Sequence, residues 1–216
     1  MNYLAHLFLS GNHDLLKIGN FLGDFVRSKD LNDYPEEVQK GILLHRKIDL
    51  FTDTHPIVFE SKRRLRNQFG HYAPVITDIF YDHFLALNWH QYSAISLLDF
   101  SQDFYRLTEC YATLLPEKPL HVLRYMKRDN WLFEYRTLKG IEATLAGMSR
   151  RSKFDSKMEY ASAELKKNLI FFFRYSWKKH ANLGSKIYDK RAVICRYWGF
   201  YWRGASLFHW HQGGIT

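Results

Sequence analysis

Apolar residues recur at helical spacing through most of this 216-residue chain, and this pattern constrains the fold more than any other feature. Only five prolines occur, the last of them Pro119, so few points interrupt a helix. Alternating apolar and polar residues, which are typical of half-buried strands, are scarce. We therefore predict an all-α fold, a single-domain helical bundle.

The composition indicates a globular protein of the reducing cytoplasm. Hydrophobic residues make up 46% of the chain, enough for a sizeable core, yet no run of about 18 apolar residues predicts a membrane span. The opening MNYLAHLFLSGNHD has no basic segment before its apolar run and is a poor signal peptide. Cys110 and Cys195 lie too far apart for a zinc ribbon.

The last part of the chain differs from the rest in charge and composition. Residues 174–216 hold eight bases and one acid, which gives them +7 of the total net charge of +9. We therefore divide the chain into a helical domain, residues 1–173, and a basic, aromatic-rich tail, residues 174–216. Such a tail can bind single-stranded nucleic acid, but a surface-draped or poorly ordered extension explains the composition better, so we do not expect a nucleic-acid partner.

The stretch GILLHRKIDLFTDTHP, Gly41–Pro56, concentrates charged residues and histidines beside apolar ones. His45, Asp49 and Asp53 are four residues apart, so a helix places them on one face. Burying an imidazole and carboxylates without a partner is costly, and a metal ion or a phosphate would offset that cost. A solvated helix face is the alternative interpretation.

Two further stretches carry acids or histidines on helices that can face this one. GNFLGDFVR places Asp24 between phenylalanines, after two glycines that allow close helix contact. DIFYDHFLALNWH places two acids four residues apart, with a histidine beside the second. All-α proteins build metal sites from such facing helices. The predicted metal ligands are His6, Asp24, His45, Asp78, Asp82 and His83.

The predicted ligand set contains oxygen and imidazole but no thiolate. It suits Mn²⁺ or Mg²⁺, with Fe²⁺ or Zn²⁺ less favoured. A bound ion acidifies water and neutralises charge on a phosphoryl oxygen. We assign Asp49 and Asp53 to handling the attacking water, and Arg46 and His55 to phosphate contacts. No Gly-rich phosphate loop, GxSxG or HExxH motif appears, so the residues indicate a metal-dependent phosphoester hydrolase.

Four blocks of the sequence together resemble the acyl carrier protein phosphodiesterase family, which is itself similar to a divergent branch of the HD-type metal phosphohydrolases. The blocks are MNYLAHLFLS, GNFLGDFVR, GILLHRKIDLFTDTHP and DIFYDHFLALNWH. The resemblance is close over residues 1–89 and looser to residue 173. It implies hydrolysis of the phosphodiester that joins 4′-phosphopantetheine to a serine of holo-acyl carrier protein, with a divalent ion that is typically Mn²⁺. The acid and histidine positions that match the family are His6, Asp24, His45, Asp49, Asp53, His55, Asp78, Asp82 and His83.

The resemblance also implies a protein partner, because acyl carrier proteins are strongly acidic. We expect it to dock on a basic cluster beside the Gly41–Pro56 stretch: Lys62, Arg63, Arg64 and Arg66.

Two features depart from the resemblance: Asp82 precedes His83, the reverse of the usual HD dyad, and the tail is unmatched. Two alternatives stay open, a hydrolase of nucleotides or other small phosphoesters and a non-enzymatic module that binds nucleic acid through the tail.

Overall fold

The computed structural model describes residues 3–168, and its regular structure there is entirely helical, which confirms the predicted all-α class. Five short 3₁₀ segments lie between or after the α-helices, and residues 161–168 are helical as well. The predicted tail, residues 174–216, lies outside the described residues. The α-helices with printed bounds are α1 Tyr3–Leu9, α2 Asp14–Leu22, α3 Glu36–Thr54, α4 Pro56–Phe69, α5 Ala73–Leu87, α6 Leu97–Cys110, α7 Glu117–Arg128, α8 Trp131–Glu134 and α9 Leu138–Arg151.

Helices α2 and α3 pack closely because glycines face each other across their contact. A Cβ atom on Gly19 would lie 2.1 Å from the carbonyl oxygen of Val38, and one on Gly41 would lie 2.3 Å from that of Leu16. Those separations are far below van der Waals contact, so larger residues would force the helices apart. The close approach brings the polar face of α3 against α2 and α1.

Prolines set the limits of the charged helix. Pro35 is the residue before α3, and it follows a 3₁₀ helix, Ser28–Asp33. Pro56 is the first residue of α4, where its missing amide hydrogen costs nothing. His55 lies between the two helices and caps α4, because its Nδ1 accepts a hydrogen bond from Ile57.

Helix α5 runs through the centre of the bundle and is buried on most of its surface. Ten of its residues are buried, including Ile79 and Phe80, as expected for a helix that is apolar nearly all round. Helix α1 packs against α5 and α2, with Leu4, Ala5 and Leu7 fully buried. No helix within residues 3–168 has the length and apolar content needed to cross a bilayer.

The helices after α6 are separated by local backbone features. Asn130 adopts a left-handed conformation (φ 44°) that ends α7 and begins α8. Thr137 then caps α9 by accepting a hydrogen bond from Gly140. Arg150 and Arg151 form the last turn of α9. These helices form one wall of the bundle.

Candidate functional site

Two histidines and one aspartate converge where α1, α2 and α3 meet. The His6 Nε2 atom lies 3.1 Å from one carboxylate oxygen of Asp49, and the His45 Nε2 atom lies 3.2 Å from the other. The two imidazole rings stack with their centroids 4.0 Å apart. One nitrogen from each histidine and one oxygen from Asp49 all lie within 4.8 Å of one another. We call these three residues the His–Asp cluster.

Asn20 on α2 holds both imidazoles from the side away from Asp49. Its Oδ1 atom is 2.8 Å from His6 Nδ1 and 3.2 Å from His45 Nδ1, and its backbone carbonyl oxygen is 2.8 Å from His45 Nδ1. Its Nδ2 donates hydrogen bonds to the His6 carbonyl and to the Ser10 hydroxyl, each at 2.9 Å. Asn20 is fully buried, so protein groups satisfy its whole side chain.

These partners fix where the imidazoles carry their protons. A carbonyl oxygen can only accept, so Nδ1 of His45 donates its proton to Asn20. The Asn20 amide nitrogen is used as a donor elsewhere, which leaves Oδ1 as the acceptor for Nδ1 of His6. Both Nε2 atoms therefore face Asp49 with a lone pair, unless a proton or a cation lies between them and the carboxylate.

A second acid, Asp24, lies beside the His–Asp cluster. One carboxylate oxygen of Asp24 lies 3.4 Å from His45 Nε2, and this side chain is 27% exposed. Burial alone would lower the pKa of His45, but hydrogen bonds to Asp24 and Asp49 outweigh it and raise that pKa to about 9. Burial opposes ionisation of both acids, yet contact with His45 holds the pKa of each below its usual value.

Glycine makes the position of His45 possible. A Cβ atom on Gly23, at the end of α2, would lie 2.1 Å from His45 Cγ. The imidazole therefore occupies the space that a side chain at position 23 would need. Asp24 is the next residue after Gly23. The backbone at the end of α2 therefore leaves room for the His45 ring and also places the Asp24 carboxylate beside it.

Asp82 caps a helix instead of joining the His–Asp cluster. It is fully buried on α5 and accepts hydrogen bonds from the amides of Leu4 and Ala5 at 2.9 and 3.0 Å. Those amides lie in the first turn of α1, where they have no partner within the helix. Burial raises the pKa of Asp82, although the two amide donors oppose the shift. The carboxylate anchors the helix that carries His6.

The structure likewise leaves the other α5 candidates outside the His–Asp cluster. His83 is buried, and its Nδ1 atom donates a hydrogen bond to the Tyr135 carbonyl at 2.6 Å, while burial lowers its pKa. Asp78 is half-buried one helical turn before Asp82. Sequence spacing placed these residues on one helix, but α5 directs Asp82 to the amides of α1 and His83 to the Tyr135 carbonyl, which follows α8.

Of the four residues predicted to contact the attacking water or the phosphate, one lies in the His–Asp cluster and three contact other parts of the fold. Only Asp49 lies in the cluster. Arg46 donates a hydrogen bond to the Val26 carbonyl at 3.0 Å, and His55 uses its Nδ1 to cap α4. Asp53 lies one turn beyond Asp49 on α3, but its carboxylate pairs with Lys62 of α4. As described, three of these four side chains therefore hold neighbouring elements of the fold.

Three residues of the predicted docking cluster, Arg63, Arg64 and Arg66, are exposed on α4, whereas the Lys62 side chain is only 17% exposed and pairs with Asp53. Arg63 donates two hydrogen bonds to Glu60 at 2.8 and 3.0 Å, and Arg64 lies 3.4 Å from the same carboxylate. Arg66 is exposed and forms no ion pair within residues 3–168. Exposed pairs of this kind are weak, so the cations can exchange their present partners for an incoming acid.

Sequence reasoning missed Asn20, although the sequence contains a signal for it. Asparagine has low helix propensity, so an asparagine in the middle of an apolar helix indicates a specific role for its amide. Its neighbour Gly19 was recognised as a point of close helix contact. The backbone approach at Gly19 is what lets Asn20 reach histidines from both α1 and α3.

The fold and the cluster together define a class: an all-α protein with an imidazole and carboxylate site between its helices. The sequence model described as "Acyl carrier protein phosphodiesterase" matches residues 1–176. The chain belongs to the acyl carrier protein phosphodiesterase family.

Curated relatives support this membership. The chain is 33% identical over 191 residues to the acyl carrier protein phosphodiesterase of Photorhabdus laumondii, an alignment that covers 88% of this chain and 96% of the relative. It is 38% identical over 166 residues to the protein of the same name from Escherichia coli O45:K1, covering 72% of this chain and 82% of the relative. No solved structure matches the chain.

Proposed function

We propose that this protein is a phosphodiesterase that hydrolyses the link between 4′-phosphopantetheine and the serine of holo-acyl carrier protein. Family membership supports the activity, since the curated relatives are named acyl carrier protein phosphodiesterases. The observation that carries the choice of site is the convergence of two Nε2 atoms on the single carboxylate of Asp49. This cluster combines buried histidines with a carboxylate that is 48% exposed and therefore open to a substrate.

We also propose that the cluster holds a divalent ion. His6 and His45 would each supply Nε2, and Asp49 would supply a carboxylate oxygen. Asn20 fixes both Nδ1 atoms as hydrogen-bond donors, which is the arrangement that metal-binding histidines usually have. When bound, the ion supplies an activated water and neutralises charge on the phosphoryl oxygen.

The donor set guides the choice of ion. Two imidazoles and carboxylates without a thiolate suit Mn²⁺ best, with Mg²⁺ or Fe²⁺ as alternatives. Asp24, 3.4 Å from His45 and partly exposed, is placed to orient the attacking water or to complete the ligand set. Asp53, Arg46 and His55 lie near this site along α3 and stay candidates for later contacts with the phosphodiester.

The protein partner follows from the activity. Acyl carrier protein is acidic, and we propose that it docks on the face of α4 that carries Lys62, Arg63, Arg64 and Arg66.

We also propose a cytoplasmic location, which fits the two widely separated cysteines. Descent from the HD-type hydrolases remains part of the proposal. The adjacent Asp82–His83 pair gives it little support, because Asp82 contacts α1 and His83 contacts Tyr135.

The direct test is formation of apo-acyl carrier protein on a native gel, with purified protein, Mn²⁺ and holo-acyl carrier protein. We expect His45→Ala and Asp49→Ala to remove most turnover and to lower the Mn²⁺ content of the purified protein. His90→Ala changes an exposed histidine far along the chain and is the matched control, expected to keep both properties. Full Mn²⁺ content in both cluster variants would refute the site, and cleavage of nucleotides in place of holo-protein would favour the small-phosphoester alternative.

A further inference from the structure

An apolar groove of about 380 Å³, walled in part by Tyr3 and Phe25, has no role in the function proposed so far. Its walls come from α1, the turn after α2, α5, α7, α8 and α9, so it lies where both halves of the chain meet. Its volume is within the range of small-molecule sites, about 300–1,000 Å³. The apolar residues that form most of its surface are Phe25, Val75, Ile79, Val122 and Met148.

Two residues of the groove wall are close neighbours in sequence of the candidate site. Tyr3 lines it and precedes His6 by one turn of α1, while Phe25, also in its wall, directly follows Asp24. Burial raises the pKa of Tyr3, the Asp24 carboxylate raises it further, and Arg151 lowers it. The Tyr3 hydroxyl therefore lies within the electrostatic reach of both the candidate site and the C-terminal end of α9.

A few polar side chains lie among the apolar residues of the groove wall. The hydroxyls of Tyr72 and Ser152 share a hydrogen bond of 2.7 Å in its wall, and Thr144 faces the groove from α9. At its far side the groove meets a larger one of about 680 Å³, and His121, Trp131, Thr144 and Arg151 line both. An apolar surface with a small number of hydrogen-bonding groups suits an amphipathic ligand better than a fully charged one.

We propose that the apolar groove binds the pantetheine arm of the substrate while the phosphodiester lies at the His–Asp cluster. This inference rests on the proposed function. The arm begins at the phosphate with a methylene group, followed by a carbon that carries two methyl groups and one that carries a hydroxyl, and then continues through two amides to a thiol. Its methyl groups match the apolar walls, and its amide N–H groups match the hydroxyl oxygens of Tyr72 and Ser152 as acceptors. The groove then selects substrates that carry the arm.

Thr144→Phe tests the proposal by filling the groove with a ring. Thr144 is half-buried on α9, and its hydroxyl bonds only to the Gly140 carbonyl of its own helix within the described structure, so the fold should tolerate the change. The matched control is Thr113→Phe, the same substitution at an exposed position outside both grooves. Val122→Phe on α7 obstructs the same groove from another wall and replaces the first variant if that one unfolds.

Three measurements on the full chain with Mn²⁺ separate the outcomes. We expect Thr144→Phe to raise KM for holo-acyl carrier protein about tenfold, to weaken binding of free 4′-phosphopantetheine about tenfold by calorimetry, and to leave cleavage of bis-(p-nitrophenyl) phosphate unchanged. Unchanged binding of free 4′-phosphopantetheine in a folded variant overturns the proposal. A higher KM only for acylated carrier protein also overturns it, because the groove would then hold the acyl chain.

Failure of the proposed function is a separate result. If the unmodified protein does not cleave holo-acyl carrier protein, that function is wrong, and calorimetry with free 4′-phosphopantetheine still decides the groove. Binding that Thr144→Phe abolishes and Thr113→Phe preserves would keep the groove as a pantetheine site, and absence of binding would remove it.

Discussion

Replacing Asn20 with leucine tests whether the histidines owe their orientation to α2. Leucine keeps the branched shape of asparagine but removes the acceptor for His6 Nδ1 and the donor to the His6 carbonyl and Ser10. His45 keeps one partner, because the backbone carbonyl of residue 20 remains. The substitution should therefore disturb His6 more than His45.

The magnitude follows from the number of groups left without partners. Each buried polar group without a hydrogen bond costs about 1–3 kcal/mol, and at least the Nδ1 atom of His6 would be orphaned, so the free energy of unfolding should fall by about 2 kcal/mol. Loss of the group that orients a ligand typically lowers metal affinity about 10- to 100-fold. We expect Asn20→Leu to lie in that range for Mn²⁺.

Two assays check this prediction: urea denaturation for stability and Mn²⁺ titration followed by electron paramagnetic resonance for affinity. Asn88→Leu is the control, since it removes another buried amide, one that donates to the Phe84 carbonyl on the same helix. It should lower stability without changing Mn²⁺ affinity. An affinity for Mn²⁺ within twofold of wild type in a folded Asn20→Leu protein would refute the reasoning.

Three other predictions concern the same site. The pKa of His45 is raised to about 9, so protonation of His45 stabilises the metal-free protein by about 3 kcal/mol below pH 6.5, and this stabilisation is lost by pH 9. Because Mn²⁺ binding requires loss of the same proton, Mn²⁺ affinity should rise between pH 6.5 and pH 9. Stability and affinity that do not change over this interval would contradict the assignment. Gly23→Ala should displace His45 and lower stability by about 1–3 kcal/mol, whereas Gly147→Ala, whose Cβ would meet nothing nearer than 3.8 Å, should be neutral or slightly stabilising in thermal unfolding. Asp82→Ala should leave the amides of α1 unpaired and lower the unfolding free energy by about 3 kcal/mol or more, and a wild-type denaturation curve would show that Asp82 does not hold α1.

Periodicity was sufficient to predict the fold class, because helical spacing is a local property that the chain displays directly. The break between α7 and α8 was missed because it depends on one asparagine, Asn130, in a left-handed conformation. A helix limit at a proline can be predicted, because proline lacks the amide hydrogen that a helix interior needs. Pro56 accordingly separates α3 from α4. The glycine-mediated contact of α2 with α3 could also be predicted, from two glycines four residues apart.

The candidate site could be predicted only in part, since side-chain direction on a helix depends on what the helix packs against. The spacing of His45 and Asp49 on α3 already placed them on one face. Asp82 has the same carboxylate group as Asp49, but its helix is buried on most sides. Its carboxylate accepts hydrogen bonds from amides of α1 that have no partner within that helix. Spacing along one helix cannot distinguish a carboxylate that caps a neighbour from one that faces a metal.

The capping of α1 by α5 makes the His–Asp cluster depend on a contact between distant parts of the chain. Helix α1 has seven residues, well below the about 12–15 at which an isolated helix becomes marginally stable. The position of His6 therefore depends on Asp82, which accepts a hydrogen bond from Ala5, 77 residues away in the chain. We predict that a fragment ending before α5 contains the whole cluster and Asn20 yet binds Mn²⁺ less tightly than the full chain. Under the metal-site proposal, Mn²⁺ affinity would therefore report whether α5 holds α1 in place.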